Sequence, residues 1–181
     1  HGLPKTLPSV TFQTRVRDDT IEGDNPFRWQ EVTTEELFED KECILFALPG
    51  AFTPTCSTYQ LPNFEKLYSD FTKHGVDEIY CLSVNDSFVM NCWAKDNDVK
   101  NIKMIPDGNA EFTYKMNMLV NKNNLGFGAR SWRYAAHTKG MDVVEQFVEQ
   151  GWTHNAEDDP YKESDPYNIL EYFNQRQPLF D

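Results

Sequence analysis

Cys56 ends the run Pro49-Gly50-Ala51-Phe52-Thr53-Pro54-Thr55-Cys56, which follows an apolar stretch from Cys43 to Leu48. That stretch has the composition of a buried strand, and Pro49-Gly50 stops it. A helix is predicted to begin at Thr53, because threonine is a good N-cap and Pro54 suits the first helical position. Cys56 then falls at the third helical residue. Unpaired backbone N–H groups and the positive end of the helix dipole favour an anion there, so the chemistry open to Cys56 is that of a thiolate nucleophile.

An ordinary thiol has a pKa of about 8.5 and is only a few per cent ionised at neutral pH; bringing that value down by about two takes about 2.7 kcal/mol. A helix terminus contributes about 0.3 to 1 kcal/mol, or ~2 at best. The shortfall calls for a second donor, and an arginine suits it, being always charged and rich in N–H groups. Arg130 and Arg133 are the two candidates, against the ordinary fate of arginine as solvated surface charge. The polar neighbours Thr53, Thr55, Ser57 and Thr58 argue against Cys56 as a buried hydrophobe.

The rest of the composition narrows the class. A chain of 181 residues with 39% hydrophobic and 25% charged residues is expected to be one soluble globular domain spanning residues 1–181. The formal net charge of -12 argues against nucleic acid or an anionic membrane as a partner. No apolar run approaches the roughly 20 residues that cross a bilayer, and His1-Gly2-Leu3-Pro4-Lys5 lacks a signal-peptide core; a start at His1 suggests a cloning remnant or a trimmed precursor. Cys43 and Cys81 lie in apolar strand-like runs and Cys92 in a helix-like one, with no Cys-x-x-Cys pair, as expected of reduced core thiols in a cytoplasmic compartment. His1, His74, His137 and His154 lack metal-ligand spacing, so neither a metal nor a cofactor is expected. No histidine is placed to suggest the general base of a cysteine hydrolase.

The elements that must hold Cys56 follow from pattern. Val10 to Arg17 alternates as an edge strand, followed by a polar loop from Asp18 to Asn25 that ends in a hairpin. Thr33 and Glu36 form a capping box before a short helix. After Cys56, Leu61, Phe64, Leu67, Tyr68 and Phe71 recur at helical spacing up to Gly75, with a kink expected at Pro62. Ile79 to Val84 is a buried strand, Ser87 caps a helix to about Asn97, and Ile102 to Ile105 is a further strand. Glu111 to Met118 makes one or two helical turns, and Asn121 to Gly128 a surface loop. A strand from about Trp132 pairs with Val143 to Glu149 through Lys139-Gly140. Asp165-Pro166 opens a last helix carrying Ile169, Leu170 and Phe173. Strand and helix alternate, which predicts an α/β fold with a central mixed sheet and helices on both faces.

The segment Pro49 to Cys56 resembles the active-site motif of the peroxiredoxins: Pro, three residues, Thr, two residues, Cys. The likeness continues through Cys81-Leu82-Ser83-Val84-Asn85-Asp86-Ser87-Phe88-Val89-Met90, Trp93, Pro106-Asp107-Gly108, Gly126-Phe127-Gly128 and Arg130-Ser131-Trp132-Arg133-Tyr134. It is greatest to the peroxiredoxin-five or plant type II group, which includes bacterial forms fused to glutaredoxin. The resemblance implies a thioredoxin-like fold and a thiol peroxidase in which Cys56 attacks a hydroperoxide and becomes a sulfenic acid. It implies that the Thr53 hydroxyl contacts thiolate and peroxide, that Pro49 shields the thiolate from water, and that Arg133, before the aromatic Tyr134, is the catalytic arginine. Gln60 stands where many relatives have a histidine.

The same resemblance leaves the resolving step open. Cys81 matches a second cysteine of plant type II relatives, but its apolar run predicts burial, so one-cysteine behaviour is expected, with glutathione, glutaredoxin or thioredoxin as reductant. Relatives commonly form homodimers through loops near the active site; Phe52, Phe88 and Phe127 are rim, interface or core residues. A non-enzymatic redox sensor using the same thiol is the rival reading.

Overall fold

The structure, a computed structural model, describes residues 2–176. His1, where the chain starts, lies outside them. Two strands, β1 (Thr11–Arg17) and β2 (Phe27–Thr33), form an antiparallel hairpin beside the main body. Helix α1 (Thr34–Phe38) starts where the capping box predicts: the Thr33 hydroxyl accepts from the Glu36 N–H at 3.2 Å. Strand β3 (Glu42–Ala47) then runs to the Pro49-Gly50 turn.

Pro54 and Thr55 open a helical segment that continues as a π-turn over Cys56–Gln60, then α2 (Leu61–Lys66) and α3 (Tyr68–Lys73). The wide turn explains how Pro62 is accommodated. Proline has no N–H for the carbonyl four residues back and its ring crowds that carbonyl. Here the Leu61 N–H instead reaches the Cys56 carbonyl, five residues back, so the turn before Pro62 opens. The distortion therefore precedes the proline and lies on the cysteine itself. Gly75, at φ +92°, then ends the helical run.

Next come β4 (Glu78–Ser83), α4 (Ser87–Asp96), β5 (Lys103–Pro106) and α5 (Glu111–Lys115). The cap of α4 is Asp86, whose side chain accepts from the Val89 N–H at 3.0 Å; Ser87, the predicted cap, is the first helical residue. The predicted loop from Asn121 is partly structured: β6 (Leu119–Asn121) and β7 (Ala129–Ser131) pair around a short 3-10 turn. Trp132 and Arg133 interrupt the chain before β8 (Tyr134–Lys139), which pairs with β9 (Asp142–Val148) with an irregularity between His137 and Thr138. Helix α6 (Pro166–Arg176) closes the described chain, with the Asp165 carboxylate accepting from the Tyr167 N–H at 3.0 Å.

The main sheet has the order β5-β4-β3-β8-β9; β3, β4 and β5 run parallel, and β8 is antiparallel to both its neighbours. This is the predicted mixed sheet. Alternation along β3 divides the core into two layers: Ile44 and Phe46 pack with α2, α3 and α6, while Cys43, Leu45 and Ala47 pack with Phe38, Phe112 and Val120. Cys56 and Cys81 belong to the first layer and Cys43 to the second.

Candidate active site

The turn after β3 is held in a demanding conformation. Phe52 adopts φ +66°, unusual for a bulky residue, and the Ala51 N–H is fixed by the Asn85 side chain at 3.1 Å. The Thr53 carbonyl accepts from the Ser57 N–H at 2.9 Å, so Thr53 is the backbone N-cap, as predicted. Its hydroxyl, however, donates to the Gly50 carbonyl at 2.7 Å instead of capping an amide, because the turn from Gly50 to Thr53 brings that carbonyl closer. Trp93 of α4 ties down the next turn by donating from Nε1 to the Ser57 hydroxyl at 2.9 Å.

Cys56 is fully buried, contrary to the inference from its polar neighbours. Thr53, Thr55 and Ser57 are half-buried and Thr58 is exposed, while Cys56 joins the core layer that also holds Leu61, Phe64 and Trp93. The burial is not apolar all round. Arg133, itself 1% exposed, donates from Nη1 to Cys56 Sγ at 3.4 Å. The same nitrogen donates to Gln60 Oε1, Nε donates to the Pro160 carbonyl at 3.1 Å, and Nη2 pairs with Asp159 at 2.7 Å. Four of its five N–H groups are thus occupied. Burial works against its charge, but the negative Cys56 and Asp159 around it outweigh that and hold its pKa above the ordinary arginine value. The Tyr161 ring lies 5.9 Å away.

Arg130 is not solvated surface either. Half-buried on β7, it donates to the Phe127 carbonyl at 3.2 Å and the Pro49 carbonyl at 3.1 Å, and it lies 5.1 Å from the Phe127 ring. It props the turn that carries Thr53, leaving the cysteine to Arg133. Lys122, 4% exposed, adds a second cation beside Arg133 to the cleft they line with Pro49, Trp132, Asp159 and Pro160. Burial lowers its pKa from the ordinary lysine value, while Asp159 pulls the other way. In a chain of net charge -12 this concentrates positive charge where an anionic sulfur needs it.

The remaining cysteines occupy other settings. Burial pushes the Cys43 thiol up to about 12 and Cys81 well above its ordinary value, with the Cys56 charge adding to the effect on Cys81. Cys92 is exposed, although predicted to be a core thiol: the buried positions of α4 are Ser87, Met90 and Trp93, and Cys92 lies off that face. Of the aromatic residues left open, Phe52 and Phe88 are exposed and Phe127 is half-buried, so none belongs to the deep core.

Beside Gln60, the site holds Asp159, Ser164 and Glu149, which sequence reasoning does not single out. Gln60 is marked in sequence, since it occupies the histidine position of many relatives; the other three lie in the acidic loop of residues 150–165, or just before it, with nothing local to mark them.

A buried cysteine on a distorted helical start, facing a buried guanidinium at the end of a mixed sheet, defines a thiol oxidoreductase of thioredoxin-like architecture. The comparisons specify the family. Residues 15–163 match the Redoxin family. The chain is 59% identical over 168 residues to a peroxiredoxin of Rhizobium etli, covering 93% of this chain and 94% of the relative. It is 50% identical over 168 residues to a hybrid peroxiredoxin of Haemophilus influenzae, covering 93% of this chain and 64% of the longer relative. The crystal structure of the Plasmodium falciparum antioxidant protein, titled a 1-Cys peroxiredoxin, superposes with a TM-score of 0.88 at 40% identity, covering 94% of this chain and 98% of that one. The chain belongs to the peroxiredoxins, the thiol peroxidases of the Redoxin family.

Proposed function

We propose that Cys56 reduces hydrogen peroxide and alkyl hydroperoxides by a one-cysteine route. The observation that carries this is the Arg133 Nη1 contact to Sγ at 3.4 Å inside a buried site. A fixed charge there favours the thiolate, and as the sulfur attacks the terminal peroxide oxygen the same guanidinium faces the negative charge building on the departing oxygen. The O–O bond breaks, that oxygen takes up a proton and leaves as water or an alcohol, and Cys56 becomes a sulfenic acid; sulfur is oxidised as the peroxide is reduced. Thr53 and Pro49 are assigned here by their place in the motif: the Thr53 hydroxyl, its proton held by the Gly50 carbonyl, keeps its lone pairs for the peroxide, and Pro49 shields the thiolate from water. Since Cys56 has no exposed surface, peroxide enters by displacing a neighbour.

An external thiol completes the cycle. It attacks the sulfenic sulfur, expels water and leaves a mixed disulfide, which a second thiol reduces. Glutathione, glutaredoxin or thioredoxin would serve. Support for the one-cysteine route comes from Cys81, which is fully buried in β4 between β3 and β5, and from Cys43, buried in the opposite core layer. Four free thiols fit a reducing, cytoplasmic compartment. Exposed Phe52 and Phe88 fit a homodimer rim near the site, which sedimentation at micromolar concentration would test.

Three single variants test the assignment. Cys56→Ser should abolish peroxide consumption, while Cys81→Ser and Cys92→Ser should each still consume one equivalent of peroxide in the first turnover. Full consumption by Cys56→Ser ends this reading. Oxidation without repeated turnover under every reductant tried favours a redox sensor.

A further inference from the structure

Glu149 follows β9, is 2% exposed, and accepts four hydrogen bonds from a single stretch of the loop leading to α6. Its Oε1 accepts from the Lys162 and Glu163 N–H groups at 2.9 and 3.0 Å. Its Oε2 accepts from the Ser164 N–H at 2.8 Å and the Ser164 hydroxyl at 2.6 Å. A carboxylate can only accept, so the Ser164 hydroxyl must direct its one proton to Glu149. Only its lone pairs then remain for Gln60, whose Nε2 donates to Ser164 Oγ at 3.3 Å. With its amide nitrogen committed, Gln60 presents its oxygen to Arg133 Nη1.

We propose that Glu149 is a positioning residue for the peroxide reaction, acting through Ser164 and Gln60 to seat the Arg133 guanidinium on Cys56. The proposal rests on Cys56 being the thiol that peroxide oxidises. Two routes converge on the arginine. The first is the side-chain relay just traced, whose members Glu149, Ser164 and Gln60 are all buried. The second is the loop backbone: pinned at Lys162, Glu163 and Ser164, it holds Pro160 and Asp159 where Arg133 donates to them. Every acceptor on Arg133 other than the sulfur is therefore placed directly or indirectly by one carboxylate. Reversing the relay would turn the Gln60 amide nitrogen towards a guanidinium that can only donate, and Nη1 would lose a partner beside the sulfur.

The relay predicts coupling that a packing role does not. In a Cys92→Ser background, the rate constant for Cys56 oxidation by hydrogen peroxide is measured for Ser164→Ala, Gln60→Ala and the double variant, with alkylation of Cys56 followed against pH. Ser164→Ala is expected to slow oxidation about fivefold, the worth of one net hydrogen bond, and to move the alkylation profile to higher pH. Ser164→Thr, which keeps the hydroxyl, should recover most of the rate. Asp158→Asn, on the exposed part of the same loop, should change nothing. The double variant should be no slower than Gln60→Ala, because Ser164 acts only through Gln60. A Ser164→Ala protein with the parent rate and profile, or a double variant whose loss is the product of the two single losses, overturns the proposal. Glu149→Gln is the direct test where thermal unfolding shows that it folds; the serine variants carry the proposal otherwise. Peroxide consumption by Cys56→Ser in the same assay would instead remove the reading on which the relay rests.

Discussion

Replacing Arg133 with alanine removes a cation 3.4 Å from Sγ in a site almost closed to water. Two unit charges at about 4 Å attract by about 4 kcal/mol at an effective dielectric of about 20, and a hydrogen bond to a charged group has a net worth of about 1.5 to 3 kcal/mol. Water entering the vacated space recovers part of this, leaving about 2 to 3 kcal/mol of lost preference for the thiolate. The alkylation profile of Cys56 should therefore move up by about 1.5 to 2 pH values. At neutral pH the rate with hydrogen peroxide should fall by at most about 30- to 100-fold through the lost thiolate, with a further loss because the departing oxygen also loses its partner. Stability should fall too, since the buried Gln60 oxygen and the Pro160 carbonyl are orphaned at about 1 to 3 kcal/mol each. The assay is iodoacetamide trapping against pH in a Cys92→Ser background, which silences the exposed thiol, run below the thermal transition of the variant. Arg133→Lys supplies a point charge without the planar fork and should give an intermediate profile. Superimposable alkylation profiles with and without the Arg133→Ala change would refute the electrostatic reasoning.

The surroundings of the arginine give graded outcomes. Asp159 is 47% exposed, so Asp159→Asn should cost less than about 1 kcal/mol of stability and at most about threefold in rate; a larger loss would mean that water does not screen this pair. A Cβ on Gly50 would sit 2.5 Å from Arg130 Nη1 and 3.2 Å from Thr53 Cγ2. Gly50→Ala should therefore displace Arg130 from the Pro49 carbonyl and lower stability by about 0.5 to 1.5 kcal/mol, read by thermal unfolding, with an unchanged transition counting against the prop. Burial holds His137 below the ordinary histidine value of 6.5 against the pull of Glu42, whose Oε1 lies 2.7 Å from Nε2. The unfolded chain then takes up that proton first, so stability present above 6.5 is lost as pH falls below it. Asp107, raised above 3.8 by burial, has the opposite sign in the carboxylate range. Denaturant titrations at about pH 7.5 and about pH 5.5 should show wild-type stability falling and a flatter response in His137→Gln; equal slopes would contradict the assignment.

Local chemistry makes much of this molecule legible in sequence. Thr33 with Glu36, and Asp165 with Pro166, mark helix starts because the capping groups are near neighbours in the chain. Thr53, Pro54 and Cys56 mark the reactive turn for the same reason, whereas Arg133 is marked only by the resemblance to the peroxiredoxins, in which the catalytic arginine precedes an aromatic residue. What escapes depends on contacts between distant residues. The wide turn at Cys56 is a compromise around Pro62 that a strictly helical period does not encode, so the distortion appears on the cysteine and not after it. The burial of Cys56 follows from how the segment is rotated against β3 and α4, which its polar neighbours conceal. Gln60 and Ser164 lie 104 residues apart and carry no shared pattern, and the pairing of β6 with β7 hides in a stretch whose polarity suggests only a loop. Cys92 shows the limit of composition as a guide: its position off the face that carries Met90 and Trp93 places it in solvent.

Exposure and electrostatics make opposite forecasts about which thiol oxidises first, and that contrast tests the central claim most directly. With one equivalent of hydrogen peroxide and dimedone present, digestion and mass spectrometry locate the sulfenic acid. The buried Cys56 should carry the adduct ahead of Cys92, the exposed thiol of the four. An adduct confined to Cys92, with Cys56 still a free thiol, would contradict the account.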